Sequence, residues 1–361
     1  MTMLAALTDA SFVDHLNAPR VTWPWPDRSH RAPWDSMPDL IRKDIVRGGE
    51  EAAAAEWPRL PATLYLEYAR SGNRDGYQGP YRARRRILGD LVVAECLEAN
   101  GRFLDAIVNA VWSICEESSW VLPAHNHLGD RSGNLPEPTQ PVVDLYAGET
   151  AALLAWTHYL IGEAFEKVSP QVAPRIENEV HRRILGPLRR REFWWMGRRE
   201  ENEINNWNPW VISNWLTSLA LLETDPQRRA GDVRTALNDL SNFISAQKED
   251  GGCDEGPGYW QRAAGSLLDC LVVMDAATGG ATADVFEDPQ LAELGRFIYR
   301  AHLGGDWYVN FSDASPILRP NPGLVYRFGK RLADPDLKAF GSWLAHRFDW
   351  EEEAPAGPLP R

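Results

Sequence analysis

From about residue 84 onward, apolar positions recur at helical spacing, the signature of helices that each bury one face. The spacing predicts helices over 84–98, 102–118, 145–166, 171–192, 209–223, 228–247, 259–277, 288–302 and 335–347. No β-hairpin pattern precedes Trp307-Tyr308-Val309-Asn310-Phe311, which reads as one short strand. Residues 1 to about 80 behave differently. There Trp23-Pro24-Trp25-Pro26, Trp34 and Trp57-Pro58 interrupt any period, which predicts an irregular segment with short helical pieces.

Short connections between successive helices imply antiparallel neighbours, and no strict repeat of solenoid type is found. The expected fold is all-α: an incomplete or closed α/α toroid of antiparallel helical hairpins, with the closed form favoured. In this reading residues 1–80 are a Pro/Trp-rich segment packed on the toroid, 81–347 form the toroid, and 348–361 read as a linker. Three long polar loops, at about 119–144, 193–208 and 248–258, punctuate the helices. Each precedes a helix two further along the chain than the last. If helices alternate up and down, the three loops open at one end and line a single cleft.

Composition narrows the function. The 361 residues suffice for one large domain or two ordinary ones. A net charge of −13 argues against nucleic acid or an anionic membrane as partner. Basic residues do cluster locally, at Arg82, Arg84, Arg85 and Arg86, and at Arg189, Arg190, Arg191, Arg198 and Arg199. Such clusters are either solvated helix faces or local sites for a carboxylate or sulfate. Sixteen tryptophans exceed ordinary usage; part of them belongs in a core, and the excess fits stacking on sugar rings. Cys96, Cys115, Cys253 and Cys270 form no metal or disulfide pattern. Cys96 and Cys115 fall in apolar helical stretches and read as core. The N-terminus lacks a signal-peptide pattern, and no stretch is long enough to span a membrane. The sequence thus reads as soluble and cytoplasmic, or periplasmic or secreted if the N-terminus is processed.

Candidate chemistry sits in the three loops. Asn208-Pro209 reads as an N-cap and first helical residue. Asn205 and Asn206 would then lie outside the helix, with amides available to a substrate carboxylate at the positive helix end. His125 and His127 are general acid or base candidates, against the plainer reading of solvated loop histidines. No third ligand accompanies them, so no metal site is expected. In the third loop Gly251, Gly252, Gly256 and Gly258 permit a tight backbone leading to Tyr259-Trp260.

Several of these segments occur together in a familiar order. Asn205-Asn206-Trp207-Asn208 and Asp250-Gly251-Gly252-Cys253-Asp254-Glu255-Gly256-Pro257-Gly258-Tyr259-Trp260 resemble paired signatures of heparinase II/III-like polysaccharide lyases. Leu122-Pro123-Ala124-His125 and Asp144-Leu145-Tyr146-Ala147-Gly148-Glu149-Thr150 are similar to that family as well, and the similarity spans roughly residues 80–330. The resemblance implies an α/α toroid joined to a C-terminal β-sandwich, with β-elimination at a uronate between them. It implies Asn206 as neutraliser of the C5 carboxylate and Tyr259 as acid or base, with His125, His127 or an arginine assisting. Asn205, Trp207, Asn208, Glu255 and Trp260 would contact the sugar. The partner is then an acidic oligosaccharide or polysaccharide, such as a glycosaminoglycan or alginate.

Two departures qualify the resemblance. No sandwich follows residue 347, so the chain by itself is expected to fold but turn over little. Trp207 stands where some relatives carry histidine. The family draws a catalytic or metal-binding histidine set from the sandwich, so no cofactor is expected within this chain. Two rival readings remain open. One is a glycoside hydrolase of the unsaturated glucuronyl type, using Asp144, Glu149, Asp250, Asp254 or Glu255. The other is a non-catalytic domain that binds acidic sugars.

Overall fold

The computed structural model describes residues 23–128, 134–200 and 203–348. They are mostly helical, with a single two-stranded ribbon. Contacts divide the chain into two compact units, one built on Pro24–Phe193 and the other beginning at Trp194. Among the described residues no helix is long and apolar enough to cross a membrane.

The first unit contains α1 (Asp39–Ala54), α2 (Asp75–Glu98), α3 (Leu104–Cys115), α4 (Leu145–Phe165) and α5 (Val172–Val180). A π-helical turn, His181–Leu185, carries α5 on into α6 (Gly186–Arg190). α2 packs against α1, α3 and α4, and α5 against α3 and α4. α4 buries most of its surface, with Leu145, Ala147, Gly148, Ala151, Leu154 and Ala155 interior and only a half-buried face at Tyr146, Glu149 and Leu153 in its first turns. α1 is longer than the short helical pieces read in this region. Gly48 and Gly49 weaken its helical signal, yet a Cβ on Gly49 would lie 2.4 Å from the Ala94 Cβ of α2. Close packing of the two helices therefore requires the glycine.

The Pro/Trp-rich segment has a definite task in this unit. Arg31 donates to the carbonyls of Cys96 (2.6 Å) and Leu97 (2.7 Å), and Arg28 to that of Ala99 (2.7 Å). These guanidiniums satisfy carbonyls that the end of α2 leaves without helical partners. Trp25 meets Trp156 of α4 edge-on, and the Tyr159 hydroxyl donates to the Trp25 carbonyl.

The second unit contains α7 (Trp207–Leu222), α8 (Pro226–Ala246), α9 (Ala264–Ala277) and α10 (Pro289–Arg300). It continues with β1 (His302–Gly304), β2 (Trp307–Tyr308), α11 (Pro322–Arg331) and α12 (Pro335–Arg347). Asp225, Asp288, Asn321 and Asp334 cap α8, α10, α11 and α12, each followed by proline at the first helical position. α7 packs against both α8 and α9, and these two neighbours differ in kind. α7 and α9 are buried all round, whereas α8 exposes Arg228, Arg234 and Asn238. The strand expected over 307–311 is limited to Trp307–Tyr308, paired antiparallel with β1.

Candidate functional site

In the second unit the asparagine loop and the glycine loop meet. α7 begins at Trp207, two residues before the expected start, so Asn208 is not its cap. Instead Asn208 is 1% exposed and donates to the carbonyls of Trp195 (3.0 Å) and Asp239 (2.9 Å). It ties α7 to α8 and to the turn Trp194–Met196, and its burial corrects the expectation of a sugar contact. Asn205 is likewise employed in the turn, since its side-chain oxygen accepts from Trp207 N at 3.0 Å. Asn206 is buried, and its amide donates to the Glu255 carboxylate. Trp207 is half-buried beside Trp194, with ring centroids 5.2 Å apart.

Two glycines shape the partner loop. Gly251 (φ +71°) lies where any Cβ would meet the backbone of Glu293 at 2.3 Å. Gly256 (φ +85°) faces the Phe311 carbonyl at 2.6 Å. Both combine a left-handed backbone with no room for a side chain, so only glycine fits. The chain then makes a tight turn, Pro257–Tyr259, before α9 starts at Ala264 rather than at 259. Tyr259 is half-buried at this mouth, one turn after Glu255. Trp260 points the other way: it is 1% exposed, its indole N–H donates to the Leu294 carbonyl at 2.7 Å, and it packs on Phe328. Trp260 is a core residue, which corrects its assignment to the sugar.

Electrostatics set Glu255 apart. Burial pushes its carboxyl above the ordinary value, the Asn206 hydrogen bond pulls it back, and Asp313, Glu203 and Asp254 push it further up. A carboxyl so placed holds its proton to higher pH than a solvated glutamate. Asp313 escaped notice in the sequence because it lies far along the chain, in the segment whose Phe311 and Ala314 press on Gly256. Asp250 serves the turn by accepting from Gly252 N at 2.9 Å.

The His125 loop belongs to the first unit. His125 sits in the turn Pro123–Leu128, 8% exposed, with Nδ1 2.7 Å from Asp144 Oδ2. Asp144 is fully buried and also accepts from Leu122 N (3.3 Å) and Ala147 N (2.7 Å). Asp144 therefore caps α4 and fixes the His125 ring with its proton on Nδ1, leaving Nε2 as the basic nitrogen. His127 is exposed, and its Nδ1 lies 3.0 Å from the Ala124 carbonyl, which suits a surface turn residue. Tyr146, in the first turn of α4, lies beside His125 with ring centroids 6.3 Å apart. The sequence marked Tyr146 only as part of a motif.

Two of the clustered arginines turn inward. Arg84 and Arg85 both bind the buried Glu117 carboxylate, at 2.9 and 2.8 Å. Arg85 stacks 3.5 Å over the Tyr81 ring. Of that first cluster, Arg82 and Arg86 are exposed.

All four cysteines are buried and unpaired, and burial pushes the thiols of Cys96, Cys115 and Cys253 up to about 12. Of the large side chains, Trp120, Trp195, Trp215 and Trp260 are wholly interior, so much of the tryptophan excess is core. Among the described residues no group of three or more histidines, cysteines or carboxylates is arranged to hold a metal ion. No family model matches the chain, and a search of curated proteins finds no relative.

Proposed function

We propose that the chain is the helical part of a polysaccharide lyase that cleaves uronate-containing glycans by β-elimination. The observation that carries this reading is the Asn206–Glu255 hydrogen bond, which joins the two signature loops beside half-buried Tyr259. Elimination requires the C5 carboxylate to be neutralised, so that the C5 proton becomes acidic. The Asn206 amide supplies one donor. Glu255, if protonated in the complex, supplies a second and shares a hydrogen bond with the uronate rather than repelling it. Tyr259, reacting as the phenolate, takes the C5 proton; the C4–C5 double bond forms as the C4–O bond breaks, and the same phenol hands that proton to the departing oxygen. The fold belonging to this proposal is a closed α/α toroid. It is supported within each unit by the packing of alternate helices, α2 on α4 and α7 on α9.

Glu255 also favours a second reading. A carboxyl raised by burial and by neighbouring carboxylates is the acid that glycoside hydrolysis requires. One experiment separates the two. Heparan sulfate, chondroitin, alginate and their unsaturated disaccharides are incubated with the protein, and both reducing ends and ultraviolet absorbance are followed. New absorbance from a C4–C5 double bond supports the lyase. Loss of absorbance from unsaturated disaccharides supports the hydrolase. Binding without either change leaves an acidic-sugar-binding domain.

A further inference from the structure

We propose that Arg82 and the Tyr146 hydroxyl form an anion site, taking the carboxylate or sulfate of an acidic sugar beside the His125 ring; this rests on the acidic-sugar reading above. Arg82 is exposed on α2, and its Nη2 donates to the Tyr146 hydroxyl at 2.7 Å and to Gln78 Oε1 at 3.1 Å. Its carbon Cζ lies 5.3 Å from the Tyr146 ring centroid. Among the described residues Arg82 has no carboxylate partner, and its Nε and Nη1 have no acceptor. Two neutral groups therefore fix one edge of the guanidinium, while its charge and its remaining donors stay unspent. Arginine in this state is suited to a planar, doubly accepting anion.

The layer beneath reinforces the charge. Arg84 and Arg85 share the single Glu117 carboxylate, so that cluster is one positive charge in excess. Its side chains are 10%, 12% and 4% exposed, which limits screening by solvent. Asp144 offsets part of this, but its oxygens are consumed by Ala147, Leu122 and His125. Tyr146, half-buried in the first turn of the 21-residue α4, adds a hydroxyl at the positive end of a helix. Each of these features occurs on a chain that carries −13 overall. This local excess of positive charge is not a by-product of composition.

The test uses the full chain and three probes: methyl glucuronide, glucose 6-sulfate and uncharged methyl glucoside. Calorimetric titration measures affinity, and the imidazole resonances of labelled histidine report contact at His125. The expected result is binding of at least one anionic sugar, movement of the His125 resonances, and no binding of the glucoside. Arg82→Gln should weaken binding by ~10-fold to ~100-fold, the range for a lost charge-assisted hydrogen bond. Tyr146→Phe should weaken it by ~2-fold to ~10-fold. Arg86→Gln, exposed on the same helix, should leave affinity unchanged, and all three variants should melt like the parent protein. Equal affinity of the parent and Arg82→Gln overturns the site, as does binding of the uncharged glucoside as tight as that of either anion. Anion binding accompanied by loss of ultraviolet absorbance from unsaturated disaccharides would defeat the lyase reading alone. Elimination with an Arg82→Gln KM equal to the parent's would defeat this site alone.

Discussion

The amide of Asn206 and the carboxylate of Glu255 are hydrogen-bonded, although 49 positions separate them. Each stands just ahead of a fully buried helix, α7 or α9, and those helices pack together. The bond therefore joins the loops that lead into two packed helices. If Asn206 and protonated Glu255 together neutralise the uronate carboxylate, the single variants Asn206→Ala and Glu255→Ala should each cost turnover. Their double variant should lose much less than the sum, because both changes disable one unit. Strict additivity of the two losses would show that the residues act independently.

In the enzyme joined to the β-sandwich that the resemblance implies, Tyr259 is judged by removal of its hydroxyl alone. Tyr259→Phe keeps the ring, so melting temperature and substrate affinity should hold while turnover falls by ~10²-fold to ~10⁴-fold. Asn206→Ala should instead weaken both binding and rate, since the amide meets the carboxylate in the ground state and more strongly in the transition state. Near-normal turnover by Tyr259→Phe would leave Tyr259 as a packing residue and move attention to His125 Nε2.

The periodicity located α4, α7, α8, α10 and α12 within about two residues, because their apolar stripes and Asp-Pro starts are local signals. What escaped were helices whose glycines serve packing. Gly49 in α1 and Gly329 in α11 lower helical propensity, yet both sit where a Cβ would collide with a neighbouring helix. α2 was entered too late for a related reason, since Gly76, Gly79 and Pro80 discount its first turns. At the site, residue type and order were enough to single out Asn206, Glu255 and His125. Type misled for Asn208 and Trp260, whose polar groups are spent on interior carbonyls. Inward and outward arginines on α2 are adjacent in sequence, and only the position of Glu117 separates them.

Glu117 is the carboxylate that Arg84 and Arg85 share, with side chains 4%, 10% and 12% exposed. Glu117→Gln leaves both charges uncompensated in a protected environment. Chemical denaturation should show a loss of about 3–5 kcal/mol, the usual consequence of breaking a buried ion pair from one side. A loss below about 1 kcal/mol would mean that water reaches the pair and screens it.

Asp269 on α9 offers a pH-resolved test. Its side chain is 13% exposed and 3.9 Å from the Arg327 guanidinium. Burial pushes the carboxyl from 3.8 up to about 6, against the pull of Arg327. With the folded value raised, the protonated form favours the fold and ionisation costs stability. That cost is absent at pH below 3.8, develops toward about 6, and is complete above it. Asp269→Asn should thus melt like the parent protein in acid and at a higher temperature above pH 6. A difference that does not change with pH would refute the assignment.

Asp144 is the residue whose replacement should disturb structure and chemistry together. Its Oδ1 accepts from Ala147 N, and its Oδ2 accepts from Leu122 N and His125 Nδ1. All three partners are donors, and the carboxylate is fully buried. Asparagine matches the shape but supplies one acceptor atom and one donor group. Whichever way the amide turns, its NH₂ must face Ala147 N–H on one side or Leu122 N–H on the other. One buried donor then loses its acceptor, which costs about 1–3 kcal/mol. Turned to keep the α4 cap, the amide faces His125 as a donor and drives its proton from Nδ1 to Nε2. Asp144→Asn should therefore lower stability in chemical denaturation and change the imidazole nitrogen shifts of His125. It should also remove whatever rate depends on Nε2 as a base. Unchanged His125 shifts, with stability equal to the parent's, would show that Asp144 neither caps α4 nor sets the tautomer.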